Sequence, residues 1–312
     1  MRKRSTVSVL MTALGAASIA AFGLVAAPSV SQATGSAPTS FYLSLGDSYS
    51  VGYQPGKGAT AGYTTIVATK AKLQLENFGC GGATSGSLLT AIGCTESGYG
   101  PVASIDAVHY PTETQEQGAL DFIAAHPGKV GLITVSIGGN DITGCASVGS
   151  TSAIETCVAA NAATVKTNVT ALGTNLRNAL TAAGDSTKVP IIGLTYPDVI
   201  LGDYVWPKTS PDPALAKLSV TAFKGIVNPD LKGAYTSSAV GGAFVDVTAA
   251  TDAYKSLTML VTLAPYGRIP LAVAKVCELT YYCSQGNIHA NTTGYTLIGN
   301  LVATEYAHLR AA

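Results

Sequence analysis

Apolar and polar positions alternate between two regimes along this chain. Short, nearly uninterrupted apolar runs stand at 41–45 (FYLSL), 130–137 (VGLITVSI), 189–195 and 243–247. Runs of that length and β-branched content read as strands buried on both faces. The first two stop abruptly at glycines, Gly46 and Gly138. Between them lie helical patterns. The clearest spans about 153–183, where Ile154, Val158, Val165, Val169, Leu172, Leu176 and Leu180 recur along one face. Ser152 and Glu155 suggest a capping box at its start, and Gly184 ends it. A second helix is expected over 62–73. A third covers about 292–309, with Tyr295, Ile298, Val302, Tyr306 and Leu309 on one side. Strands alternating with long helices predict an α/β fold: three layers, α/β/α, around a mostly parallel central sheet. There is no internal repeat or low-complexity tract, so residues 34–312 are expected to form a single domain. The apolar stretch 256–277, broken by Pro265 and Pro270, fits neither regime.

The first 33 residues change the picture of where the chain works. Arg2, Lys3 and Arg4 precede an uncharged stretch over 7–25, and Ser31, Gln32 and Ala33 supply small residues for cleavage. This is the layout of a signal peptide cut after Ala33, and a secreted protein with no remaining membrane span is expected. An uncleaved anchor is disfavoured because many of its residues are small or hydroxylated. Cleavage removes three of 18 basic residues, leaving 15 against 18 acidic ones. With only 12% of residues charged and 47% hydrophobic, the composition argues against a disordered chain or a dedicated nucleic-acid binder.

Six cysteines in an exported chain suggest disulfides. Fifteen pairings are possible. Short loops favour the sequential one: Cys80 with Cys94, Cys145 with Cys157, and Cys277 with Cys283. A metal site is a poor alternative, since no C-x-x-C occurs and the four histidines do not cluster with the cysteines.

In open parallel sheets, ligands bind beyond the carboxyl ends of the strands. Gly46-Asp47-Ser48 and Gly138-Gly139-Asn140-Asp141 both stand at such ends. A serine at a strand-end turn exposes its hydroxyl, and a nucleophilic serine needs a base, most often histidine. His109 and His126 each lie within two residues of a proline, and His308 sits in the last helix. His289 alone occupies a polar loop, Gln285-Gly286-Asn287-Ile288-His289, just before a helix. It is the candidate base.

Four blocks together carry a resemblance. GDS at 46–48, NFGCGGATS at 77–85, GGND at 138–141 and the histidine block at 287–295 stand in the order and spacing of the SGNH (GDSL) hydrolases. They span nearly the whole mature chain, and the exported six-cysteine form is similar to actinobacterial lipases and esterases of that family. The resemblance implies that Ser48 is the nucleophile and His289 its general base. It also implies that the N–H groups of Ser48 and Gly82 and the side-chain amide of Asn140 form the oxyanion hole, and that Asp47 and Asp141 order the loops. A Cys80–Cys94 bridge would stiffen the loop that carries Gly82. One departure stands out: most members have an acid three residues before the histidine, and here that position is Gly286. A backbone carbonyl of Gly286 or Asn287 is expected to orient His289 instead, with Asp246 or Asp252 as the alternative. No serine has glycine at both −2 and +2, so the G-x-S-x-G elbow is absent.

The resemblance therefore implies a carboxylic ester hydrolase (lipase, esterase or phospholipase A) working without cofactor or metal, as a monomer, on a lipid-like ester. The runner-up is a polysaccharide O-acetyl esterase, and a non-catalytic binding protein on the same scaffold ranks last. The stretch 256–277 either packs as core, the favoured reading, or walls an acyl chain. Trp206, the single tryptophan, either lines the site or packs beside it.

Overall fold

Hydrogen bonds among five short parallel strands organise the molecule. The computed structural model describes residues 40–94, 104, 107–185 and 189–311, and the export segment expected at 1–33 lies outside them. The strands are β1 (Phe41–Gly46), β2 (Gln74–Asn77), β3 (Val130–Ser136), β4 (Ile191–Leu194) and β5 (Ala243–Val245), in the order β2-β1-β3-β4-β5. All four neighbouring pairs run parallel. Chain direction across the sheet reverses at β1, between β2 and β3, which makes the β1/β3 crevice the topological switch point.

The helices in chain order are α1 (Ser48–Val51), α2 (Tyr63–Ala71), α3 (Ser85–Thr90), α4 (Gln115–Ala125), α5 (Gly139–Ile142) and α6 (Thr151–Ala182). They continue as α7 (Pro213–Ala222), α8 (Asn228–Tyr235), α9 (Val247–Ala250), α10 (Leu271–Leu279), α11 (Tyr282–Gln285) and α12 (Thr292–Ala311). Successive strand residues point to opposite faces, and two cores result. Leu43, Ile133 and Ile191 face α4, α6 and α8, whereas Tyr42, Leu132 and Ile192 face α2 and α12. The expected α/β/α layering is therefore the observed one.

Helix α6 buries Ile154, Val158, Val165, Val169, Leu172, Leu176 and Leu180, the face expected from periodicity. Its start differs from expectation. The N-cap is Ser150, whose hydroxyl accepts from Ala153 N–H at 3.3 Å; the pair Ser152 and Glu155 falls inside the helix, because Ser150 is the last residue with extended backbone. The stretch 256–277 folds as an antiparallel hairpin, β6 (Leu260–Leu263) with β7 (Gly267–Pro270), followed by α10. Ile269, Val273 and Val276 pack into a third core with Leu201 and Cys283. All three sequential disulfides are present. Among the described residues no helix is long and apolar enough to cross a membrane.

Candidate active site

The end of β1 is held from both sides. Gly46 has φ +139°, and a Cβ there would run into the backbone carbonyl of Ser136 on β3, so only glycine lets the strand turn here. The Gln115 side chain of α4 bonds both backbone groups of Gly46, accepting from its N–H at 2.6 Å and donating to its carbonyl at 3.1 Å. Asp47 then caps α1, its carboxylate accepting from Tyr49 N–H at 2.9 Å and from the Tyr196 hydroxyl at 2.6 Å. Burial pushes the Asp47 carboxyl up to about 7, against the lowering effect of these bonds. Ser48 is thereby the first residue of a short helix at the switch point, buried to 7% exposure.

His289 arrives from the opposite end of the chain, on the loop between α11 and α12. Its Nε2 lies 2.8 Å from Ser48 Oγ. The Tyr53 ring lies 4.5 Å from the imidazole centroid, and Tyr49 stacks at 6.1 Å. The Tyr49 hydroxyl also donates to the carbonyl of Ile288 at 2.7 Å, which ties the histidine loop to α1. This aromatic enclosure dries the ring, and burial lowers the imidazole to about 4.

The group facing His289 Nδ1 corrects the expectation. It is the side-chain oxygen of Asn287, at 2.8 Å, rather than a backbone carbonyl of Gly286 or Asn287. The same oxygen accepts from His289 N–H at 3.1 Å. Gly286 stands in the left-handed region with φ +65°, and a Cβ there would lie 2.5 Å from Trp206 Nε1. The turn at Gly286 folds the short Asn287 side chain back onto its own loop. Trp206 thus packs behind the histidine loop. Asp246 is committed elsewhere, capping α9 at Ala249 N–H and accepting from Asn228.

The remaining expected site residues lie on two neighbouring loops. Asn140, in α5 after β3, donates to the Ala83 carbonyl at 2.9 Å, which joins it to the loop of Gly82. An amide nitrogen has two protons, so this bond uses one of them. Asn140 lines the cleft beside Ser48, and its bond to the Ala83 carbonyl joins the loop of Gly82 to it. Asp141 accepts from both the N–H and the hydroxyl of Ser85, at 2.9 and 2.7 Å, fixing α3 to α5. The Cys80–Cys94 bridge anchors the same loop. Among the described residues, no three His, Cys, Asp or Glu side chains gather as metal ligands would.

From Ser48 an open cleft runs between the start of α6 and the α7–α8 arm. Ile154, Val158, Leu218, Phe223, Val227 and Leu231 give it apolar walls. The stretch 256–277 does not line this cleft; its end, from Ile269 into α10, packs as core, whereas Met259 and Leu260 on the hairpin are exposed. Sequence reasoning missed the true wall. Its apolar residues on α7 and α8 were visible, but nothing local shows that a five-residue π-helical turn, Phe223–Val227, aims them at Ser48.

Comparison with known proteins bears on the fold and the family. The chain is similar in structure to phospholipase A1 from Streptomyces albidoflavus NA297, at 17% identity and a TM-score of 0.45, with 86% of this chain and 98% of that one covered. It is also similar to the lipase Lip_vut3 from a goat rumen metagenome, at 17% identity and a TM-score of 0.53, covering 87% of this chain and all of the other. At that identity the likeness to the lipase is one of fold. No curated protein sequence matches the chain significantly. The family model for the GDSL-like lipase/acylhydrolases matches residues 42–302. That span takes in all five strands of the sheet and half of the last helix, and the chain therefore belongs to the GDSL-like lipase/acylhydrolase family.

Proposed function

We propose that the chain is a secreted serine esterase that hydrolyses lipid-like acyl esters through an acyl-Ser48 intermediate, with His289 as general base. The observation that carries this reading is the 2.8 Å approach of Ser48 Oγ to His289 Nε2 at the head of an apolar cleft. Ser48 donates its proton to Nε2 as Oγ attacks the acyl carbonyl carbon. The oxyanion so formed is held by the N–H groups of Ser48 and Gly82 and the second amide proton of Asn140, each such donor contributing about 3 kcal/mol. Collapse breaks the bond to the leaving oxygen, which takes the proton from Nε2 and departs as the alcohol. Water, activated by the same Nε2, then releases the acid and regenerates Ser48. The reaction as written calls for no cofactor.

The cleft supports an acyl chain longer than acetyl, since apolar walls reward each buried methylene by about 0.8 kcal/mol. The basic start, uncharged stretch and small-residue site at 1–33, with three disulfides, support export. The test is hydrolysis of p-nitrophenyl acetate, butyrate, octanoate and palmitate by the mature protein beside Ser48→Ala and His289→Ala. Turnover by the wild type, rising beyond acetate and reduced about 10³-fold or more in both variants, is the expected result. A profile confined to acetate would move the assignment to a deacetylase. An inert wild type that also resists an active-site phosphonate would leave a binding scaffold.

A further inference from the structure

We propose that Asn287 is the positioning residue of this site: its side-chain carbonyl holds His289 in the tautomer that accepts the Ser48 proton, in place of the family's carboxylate. The inference rests on the reading of Ser48 and His289 given above and adds a member to it.

The geometry decides where every proton sits. An amide drawn in either orientation is ordinarily ambiguous. Here a backbone N–H removes the ambiguity. The main-chain N–H of His289 can only donate, so the Asn287 atom 3.1 Å from it is the oxygen. That same oxygen lies 2.8 Å from His289 Nδ1, and an acceptor there requires Nδ1 to carry the proton. Nε2 is then the bare nitrogen, and the atom 2.8 Å from it, Ser48 Oγ, must donate. One backbone amide thus sets a relay of three groups with its direction fixed.

The relay also accounts for an asparagine working where amides usually fail. In serine proteases, replacing the orienting aspartate by asparagine lowers kcat about 10⁴-fold through the wrong tautomer. In this loop the His289 N–H keeps the oxygen, and not the NH₂, turned to the ring. The position that carries the acid in the family has no room for one, because Gly286 stands at φ +65° with Trp206 against it. An amide lends no net charge, which fits an imidazole that burial leaves well below its ordinary value.

The experiment compares Asn287→Ala and Asn287→Asp with the wild type on p-nitrophenyl butyrate, recording kcat, KM and the pH profile of kcat/KM, with a thermal melt of each. Loss of the acceptor in Asn287→Ala should lower kcat by 10-fold or more at nearly unchanged KM. A carboxylate in Asn287→Asp should retain kcat within about 10-fold and move the acid limb upward by a unit or more. A side chain at 287 turned away from the ring would leave that limb in place. A wild-type kcat in Asn287→Ala, or an acid limb in Asn287→Asp that overlays the wild type, overturns the inference. If Asn287→Ala does not fold, the Asn287→Asp profile decides alone. An active wild type with unaltered Asn287 variants defeats this inference only, whereas an inert wild type defeats the reading of the site itself.

Discussion

At single residues the behaviour of the site follows from what surrounds each ionisable group. His289 is enclosed by Tyr49 and Tyr53 with no carboxylate on its ring, so its imidazole is lowered to about 4. Only the neutral ring can take a proton from Ser48. Activity should therefore persist down to acid pH and fall as pH drops through about 4, and not near the ordinary histidine value of about 6.5. A pH–rate profile of kcat/KM on an ester with a non-ionising leaving group checks this. An acid limb close to the ordinary value would mean that a charge reaches His289 which the geometry does not supply. Gly286 permits a second test. Gly286→Asp restores the family's acid in name, but it places a side chain at φ +65° against Trp206. It should lose about 2 kcal/mol or more of stability without raising kcat, as chemical denaturation and kinetics together would reveal.

At the level of elements, the shape of the cleft depends on a helix arm that no local pattern marks. The cleft lies between the start of α6 and the α7–α8 arm, and the Cys145–Cys157 bridge ties the segment before α6 to its first turns. Leu218 on α7 lines the cleft and is only half-buried, which leaves room for change at modest cost to the core. Leu218→Trp should narrow the cleft while sparing Ser48. Its kcat/KM should fall about 10-fold or more on octanoate and palmitate esters relative to acetate. An equal loss on all chain lengths would place the acyl chain elsewhere.

For the whole molecule, buried charge sets how stability responds to pH. Burial raises Asp47 and Asp198 to about 7, and one Asp198 oxygen has no hydrogen-bond partner. Groups raised in the fold hold protons that the unfolded chain releases, so their contribution is full below about 4 and is lost as pH rises through about 7. His289 has the opposite sign: its folded value is depressed, and its contribution is lost as pH falls from about 6.5 to about 4. The two carboxyls outweigh the one imidazole. The two ion pairs among the described residues, Lys166–Asp230 and Lys275–Glu278, are too exposed to alter this. The melting temperature should accordingly be higher near pH 5 than near pH 8. Asp198→Asn, which removes a burial term on the order of 4 kcal/mol, should raise it more at pH 8 than at pH 5. A melting temperature that instead climbs with pH over this range would show that these carboxyls ionise freely in the fold.

What the sequence determines by itself is whatever depends on neighbours along the chain. The runs at 41–45 and 130–137 mark β1 and β3 because strands buried on both faces must be continuously apolar. The heptad-like face of α6 follows from helical periodicity, and its cap is misplaced by two residues because serines at 150 and 152 are equivalent to any local rule. The short loops between consecutive cysteines matched the bridges. Ser48 and His289 could be paired as candidates because histidine is scarce and only one stands in a polar loop, although 241 residues separate them. The strand β2 was not legible, since its four residues, Gln74–Asn77, are too polar and too few to show a pattern. The tertiary structure alone decided which atom faces Nδ1 and which helices wall the cleft. It alone shows why position 286 must be glycine. Each of those depends on contact between segments far apart in sequence, Trp206 against Gly286 or α7 and α8 beside Ser48, and close packing of distant segments leaves no periodicity in the chain that supplies them.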